Sequence, residues 1–278
     1  MNAAGVAADL DAAGLLAVAT GAARAAGELL ASPGGRVSVA ATKSSPTDVV
    51  TEMDRRSEEL IRSLILAVRP DDAILGEEGG QIGDTAGAPA RWVIDPLDGT
   101  VNYLYGLPGW AVSIAAEVAG EIVAGAVFAP SSGELFTATR GGGGWLESPA
   151  AGRLRLHCRP GVPLDQALVA TGFGYRAARR KTQGEVVAAL LPRVRDIRRA
   201  GVASADLCSV AAGRLDGFYE RGLNYWDYAA GALIAAEAGA VVGGLHGAPP
   251  TTSMTVAAGP GLFEALAEAL AELDAERD

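Results

Sequence analysis

Apolar positions follow two different patterns along this chain. Residues 9–31 are rich in Ala and Leu and predict a helix that stops at Ser32-Pro33-Gly34-Gly35. Leu60, Ile61, Leu64, Ile65 and Val68 recur at helical spacing and predict a second helix over about 54–69, ended by Pro70. Between these, KSSPTD (43–48) reads as an exposed loop. Short strands are expected near 73–76 and 91–95, and longer ones at 110–118, 121–129 and 134–139, with turns at Gly120-Glu121 and Ser131-Ser132-Gly133. That series of hairpins suggests an antiparallel sheet. RGGGGW (140–145) has no Lys-Ser/Thr after it, so it reads as a turn between strands and not as a phosphate loop. Past Pro149-Ala150-Ala151-Gly152, strand candidates (167–171, 194–199, 215–220, 240–243, 254–258) alternate with helix candidates (177–191, 203–213, 226–239, 261–275), which indicates α/β layering. The chain thus divides into an α+β half, 1–150, and an α/β half, 151–278, with no internal repeat.

Composition narrows the partners. The 278 residues are 49% hydrophobic and 20% charged, enough for a large core in one domain or two closely packed halves. A net charge of −10 argues against nucleic acid or an anionic membrane as partner. A phosphorylated small molecule remains open, because a bound cation reverses the local sign. Cys158 and Cys208 show no metal-ligand spacing and point to a reducing compartment, the cytoplasm. Asp9 and Asp11 precede the first apolar stretch, unlike a basic signal peptide. No uninterrupted apolar run reaches the 18 or so residues of a membrane span.

Acidic residues carry the candidate chemistry. Asp48 and Asp54 lie in DVVTEMD, Glu77 and Glu78 in LGEEGG just past a strand, Asp95, Asp98 and Thr100 in DPLDGT, and Glu220 and Asp227 in YERGLNYWDYAAG. Each has a plain alternative: Asp54 and Asp227 could cap the helices beside them, and Glu77 and Glu78 could be solvated turn residues. Together they suggest more. Carboxylates at the carboxyl ends of strands point into the crevice where open α/β sheets hold ligands. Several ionised acids in one crevice need a cation, and oxygen donors without nearby His or Cys select Mg²⁺. A short helix starting at Gly99-Thr100 would add N–H donors for phosphate.

DVVTEMD, GEE, WVIDPLDGTVNY and WDYAAG, in this order and spacing from about Lys43 to Gly239, resemble the inositol monophosphatase family of Mg²⁺-dependent, Li⁺-sensitive phosphatases. The resemblance implies a layered αβαβα sandwich, usually a homodimer, that hydrolyses inositol 1-phosphate to inositol and phosphate. It implies two or three Mg²⁺ per site: Glu77, Asp95 and the Leu97 carbonyl for one, Asp95, Asp98 and Asp227 for a second, Glu77 with waters for a third. Asp54 and Thr100 would orient the attacking water, and Gly99 and Thr100 would offer N–H groups to the phosphate. Glu220 and Ala203 fall where the family contacts inositol hydroxyls, and Lys43 in its metal-site loop.

Val202 stands where the family usually has Ser or Thr after the glycine, and Ser204 where a small apolar residue is common; both departures bear on Ala203 and the sugar end. Rival substrates on the same scaffold are fructose 1,6-bisphosphate, histidinol phosphate and 3′-phosphoadenosine nucleotides. A catalytically silent scaffold is the rival of another class, disfavoured because no metal ligand is lost. The basic runs YRAARRK (175–181) and RVRDIRR (193–199) are expected to be solvated faces, with a second phosphate site as the alternative. His157 and His246, outside every acidic motif, are expected to be structural or surface residues.

Overall fold

The computed structural model describes residues 11–32, 39–42 and 49–277, so Lys43 and Asp48 lie outside the described residues. Helix α1 (Ala12–Ala31) starts at Asp11, whose carboxylate accepts the Ala13 N–H at 3.0 Å. A hairpin, β1 (Val39–Thr42) and β2 (Val49–Thr51), leads into α2 (Glu52–Val68). There follow β3 (Ala73–Gly76), β4 (Gly80–Ile82), β5 (Arg91–Asp98) and a short α3 (Thr100–Leu104). A meander completes the first part: β6 (Ala111–Val118), β7 (Glu121–Ala129), β8 (Glu134–Thr139), β9 (Gly143–Ser148) and β10 (Gly152–Arg155). Strands β3 to β10 form one sheet in the order β10-β9-β8-β7-β6-β5-β3-β4, antiparallel except where β3 runs parallel to β5. RGGGGW does turn between strands, with Gly141 and Gly143 at φ 74° and 78°, a region that favours glycine. Strand β10 lies past residue 150, so the sheet runs across the point where the sequence pattern changes.

The second sheet has the order β12-β11-β13-β15-β14. Its strands are β11 (Leu168–Thr171), β12 (Asp196–Arg198), β13 (Gly217–Glu220), β14 (Val241–Gly243) and β15 (Thr255–Ala258). The first three are mutually parallel, and β15 runs antiparallel to both its neighbours. Helices α4 (Ala177–Leu190), α5 (Ala203–Ala211), α6 (Tyr225–Glu237) and α7 (Leu262–Glu272) alternate with these strands.

Three separate cores show how the elements stack. Leu15, Ala23 and Ile61 of α1 and α2 meet Trp92 and Ile114 on one face of the first sheet. Val93 and Val127, pointing the other way from the same sheet, meet Leu207 and Ile234 of α5 and α6, together with Phe218 and Ala257 of the second sheet. On that sheet's far face, Val169 and Val256 pack with Leu190 and Leu266 of α4 and α7. The period-2 alternation of each strand sends neighbouring residues into different cores. Five layers result, the αβαβα sandwich that the resemblance implied.

Two expectations change in detail. By length and composition α1 could cross a membrane, yet Leu15, Ala19, Ala23, Ala26 and Leu30 make a face packed on β6 and β7, as in a core helix. The buried face of α2 is not the stripe predicted for it. Ile61 and Ile65 are buried, but Leu64 and Val68 are 38% and 64% exposed, and Asp54, Ser57 and Glu58 are buried instead. Polar partners beneath the first two turns of α2 set that face.

Candidate active site

The acidic pair in DPLDGT owes its arrangement to a bulge. Asp95 pairs with Ser113 and Asp98 with Ala111, so β5 spends one residue more than β6 over this stretch. In a regular strand, residues three apart point to opposite faces; the extra residue brings both aspartates to one side. Pro96 suits the break because it has no N–H to give to a ladder. The Asp95 Oδ1 accepts the Leu97 N–H at 3.0 Å and closes the bulge from within. Glu77 stands beside this pair because its N–H continues the parallel β3–β5 ladder to the Ile94 carbonyl at 3.2 Å.

Helix α2 ties these segments together with one polar face. Asp54, Ser57 and Glu58 are spaced i, i+3, i+4, one side of a helix. Asp54, 1% exposed, closes a capping box with Thr51: its Oδ2 accepts the Thr51 N–H at 2.8 Å. Its Oδ1 accepts the Thr100 hydroxyl at 2.9 Å. Asp54 therefore both caps the helix and pairs with Thr100. Ser57 Oγ donates to the Pro96 carbonyl at 2.8 Å, and the Glu58 carboxylate accepts the N–H groups of Glu78 and Gly79 at 2.8 and 2.7 Å. Gly99, N-cap of α3 at φ 91°, has no room for a Cβ, which would stand 2.8 Å from Val202 Cγ2 and 3.1 Å from the Gly109 carbonyl.

The other half of the molecule supplies the far wall. Asp98 Oδ2 accepts both the Ser204 N–H, at 2.8 Å, and the Ser204 hydroxyl, at 2.6 Å, at the start of α5. Asp227 sits in the first turn of α6, where its Oδ2 accepts the Asn224 N–H at 2.6 Å. Glu220 ends β13, and a Cβ at Gly172 would overlap its carboxylate, so glycine leaves it a berth.

The electrostatics follow from burial and crowding. Asp95, 2% exposed, is held well above the usual carboxylate range by burial and then by Glu77, Asp98 and Asp227. Asp227 is raised strongly in the same way, by burial, Glu77 and Asp98. Burial pushes Asp98 up to about 6 although Ser204 and the Ala203 N–H favour its charged form. Glu220 rises to about 8 and Asp206 to about 7, each through burial and then Asp98, with Arg199 opposing. Asp95, Asp98 and Asp227 form no ion pair with a basic side chain among the described residues. A hard divalent cation would relieve this repulsion, and an all-oxygen donor set is what such an ion takes. Among the described residues no three His, Cys, Asp or Glu side chains are set to hold one ion as they stand. Asp98 and Asp227 each have Oδ2 turned toward a local donor. The fit rests on donor chemistry and on the cavity these residues share.

That cavity, of about 390 Å³, is lined by Glu77, Asp95, Leu97, Asp98, Gly99, Thr100, Ala203, Glu220 and Asp227. Asp54 stands behind Thr100, and Lys43 lies outside the described residues. His157 and His246 are exposed and away from the cavity, as expected for surface residues. The basic runs are a correction. Arg176, Arg179 and Arg199 line the same cavity, so these segments are not merely solvated faces. Phe173, Tyr175 and Trp226 also line it, although none of the three was a candidate site residue in the sequence. Ser57, Glu58 and Asp206 were missed too, and Ser204, singled out only as a departure at the sugar end, turns out to hold Asp98. A polar i, i+3, i+4 set running on into Ile61 and Ile65 was the available sign for the first two.

The inositol monophosphatase family model matches residues 11–275. The inositol-1-monophosphatase SuhB of Mycobacterium tuberculosis strain H37Rv is 49% identical over 82% of this chain and 80% of its own. A Pseudomonas aeruginosa protein named Nus factor SuhB is 43% identical over 84% of this chain and 86% of its own. The solved structure titled Mycobacterium tuberculosis SuhB superposes with a TM-score of 0.80 at 42% identity, covering 97% of this chain and all of that one. With the bulged acidic strand, the Asp54–Thr100 pair and the five layers already in place, the conclusion is direct: this chain belongs to the inositol monophosphatase family, and family and homologues together support a phosphatase.

Proposed function

We propose that the chain is a Mg²⁺-dependent phosphomonoesterase that hydrolyses inositol 1-phosphate to inositol and phosphate, as a cytoplasmic homodimer. The observation that carries the reading is the meeting of a buried oxygen-donor cluster with a hydroxyl–carboxylate pair in one cavity. Glu77, Asp95 and the Leu97 carbonyl would hold one ion, and Asp95, Asp98 and Asp227 a second, with Glu77 and waters for a third. Bound there, Mg²⁺ supplies charge that acidifies a water and steadies the departing alkoxide.

The protein's own groups orient the attack. The single Thr100 proton has two acceptors, Asp54 Oδ1 at 2.9 Å and the Leu97 carbonyl at 3.1 Å. The carboxylate is the stronger acceptor because it is charged. With its proton committed to Asp54, Thr100 Oγ1 presents lone pairs to the cavity and can accept a hydrogen bond from a water aimed at phosphorus. The Thr51 N–H and the capping role fix Asp54, so the pair is pre-organised by the start of α2. At the opposite wall, Glu220 and Ala203 face the alcohol being released.

The experiment is phosphate release from inositol 1-phosphate with Mg²⁺, with excess chelator, and with Li⁺ in the millimolar range. Release that needs Mg²⁺ and falls with Li⁺ is expected; full activity in chelator refutes the proposal. The name of the P. aeruginosa relative favours a second reading, a Nus factor. Retention of every described acid of the donor set supports the enzyme.

A further inference from the structure

The buried stripe of α4 holds an amide where an apolar side chain would be expected. Gln183, Val186 and Leu190 are spaced i, i+3, i+7 and share one face of the helix. Val186 and Leu190 pack into the third core with Val169 and Val256 of the second sheet. Gln183, only 8% exposed, instead joins two segments of the cavity wall. Its Oε1 accepts the Gly174 N–H at 2.9 Å, and its Nε2 donates to the Arg221 carbonyl at 3.2 Å. Gly174 and Arg221 both line the cavity, whereas Gln183 stands behind them and does not. A buried amide is costly unless it is hydrogen-bonded, and here its carbonyl and its N–H are both engaged.

The two segments leave the parallel pair β11 and β13, whose last rung sets Thr171 opposite Tyr219. One residue further on come Gly172 and Glu220. The Glu220 carboxylate lies against Gly172, where any Cβ would overlap it. Directly bonded strands stay about 4.8 Å apart. Past Glu220 a direct rung is replaced by the Gln183 amide, which offers a carbonyl to one segment and an N–H to the other. A peptide group of an intervening strand would make the same two bonds. The segments are thus tied together and held one amide apart, just beyond the point where Glu220 is seated.

We propose that Gln183 is a positioning residue for the alcohol end of the substrate. By fixing the spacing of the Gly174 and Arg221 segments it holds Glu220 where an inositol hydroxyl can meet it, and so sets the preference for inositol phosphates over esters of small alcohols. The proposal rests on the phosphatase reading above and on the place that reading gives Glu220. Attack at phosphorus is set elsewhere, because Asp54 and Thr100 are held at the starts of α2 and α3. Loss of the Gln183 amide should therefore fall on recognition of the alcohol and spare the attack.

The test measures phosphate release from inositol 1-phosphate and from glycerol 2-phosphate with Mg²⁺. The proteins compared are the unsubstituted chain, Gln183→Met, Thr182→Val, Glu220→Gln, and the double variant Gln183→Met with Glu220→Gln. Methionine keeps the length of the side chain and removes both hydrogen bonds. Gln183→Met should lower kcat/KM on inositol 1-phosphate about ten- to thirtyfold, mostly through KM, and on glycerol 2-phosphate by no more than about threefold. The ratio of the two substrates is read on each protein, so a partly unfolded preparation does not pass as lost recognition. Thr182→Val alters the neighbouring buried position of α4 and should leave that ratio unchanged. The double variant should lose little more than Glu220→Gln alone, because one residue acts through the other. Hydrogen exchange of the 172–176 amides, read by mass spectrometry, should quicken about tenfold in Gln183→Met, where the Gly174 N–H has lost its acceptor. Equal losses on the two esters, losses that multiply in the double variant, or unchanged exchange at 172–176 overturn the proposal. So does a Thr182→Val protein whose ratio falls as far as that of Gln183→Met. Inactivity of the unsubstituted protein on both esters instead overturns the phosphatase reading and the specificity role with it, while the exchange measurement still decides whether Gln183 ties the two segments.

Discussion

Replacing Asp98 by Asn separates the chemical role of the acid cluster from a structural one. Asn keeps the shape, and its carbonyl can take the two Ser204 donors that now reach Asp98 Oδ2 at 2.8 and 2.6 Å. What disappears is a charge facing Asp95 and Asp227. Burial raises Asp98 from 3.8 to about 6 in the metal-free fold, so its ionisation is disfavoured there relative to the unfolded chain. At about 1.4 kcal/mol per pKa unit, ionised Asp98 costs the metal-free fold on the order of 3 kcal/mol, an upper bound because its neighbours titrate with it. The sign sets the window. A carboxylic acid whose folded pKa is raised loses stability as pH climbs from its unfolded value to its folded one, and the full penalty stands above it. Asn behaves as the protonated acid at every pH. In chelator at pH 8 the variant should therefore melt higher than the unsubstituted protein by roughly 2–6 °C, at about 2 °C per kcal/mol for a chain this long. Near pH 4 the difference should shrink toward zero. With Mg²⁺ the order should reverse: an ion binding only the folded state adds RT ln(1 + [L]/Kd), about 2.7 kcal/mol at a hundred times Kd, and the variant should gain clearly less. Thermal melts by circular dichroism in these three conditions suffice. A variant that melts lower than its parent in chelator at pH 8, or a gap that does not change with pH, refutes the reasoning.

Thr100→Ala should lower turnover by roughly 10²–10⁴-fold while Mg²⁺ affinity by calorimetry stays within a few-fold, because the lost hydroxyl orients a water through Asp54 and is no metal donor; affinity falling in step with turnover would contradict this. Glu58→Ala should cost about 1–3 kcal/mol in urea unfolding, since it strips two part-buried N–H groups, those of Glu78 and Gly79, of a charged acceptor. It should also weaken Mg²⁺ binding through the adjoining Glu77, and a variant of unchanged Mg²⁺ affinity would show that Glu58 does not set the loop.

Element identity was largely legible because it is written in local pattern. Predicted helices and strands match the observed ones within a few residues, and the hairpins from β6 to β8 follow from alternation and turn residues alone. The short strands β1, β2 and β4 escaped, each three or four residues long, as did β9 and β10: Gly143, Gly144 and Gly152 hide the start of β9 and of β10, and every residue of β10 is exposed. The acids were legible one by one, since DPLDGT carries both aspartates and their proline within six residues. Their dual service was not. Asp54 and Asp227 were weighed as caps or as site residues, and the structure shows each capping a helix while facing the site.

The linear sequence determined which acids exist, that Pro96 interrupts regular pairing between two of them, and where helices begin, because backbone sterics and neighbour spacing act over a handful of residues; that the strand runs on to Asp98 through a bulge, instead of ending at 95, came from pairing with β6. Tertiary structure decided what holds and surrounds them. Ser204 reaches Asp98 across 106 positions, and Glu58 reaches the Glu77 loop across 20. Val202 and Ser204 looked like two departures from the family pattern, yet folding places the Ser204 hydroxyl on Asp98. Arg179 and Arg199 come from two basic runs that resemble solvated faces, and only folding brings both to the rim of one cavity. Periodicity reports which side of an element is buried, but the partner on that side is chosen by packing between layers, and no local pattern encodes it.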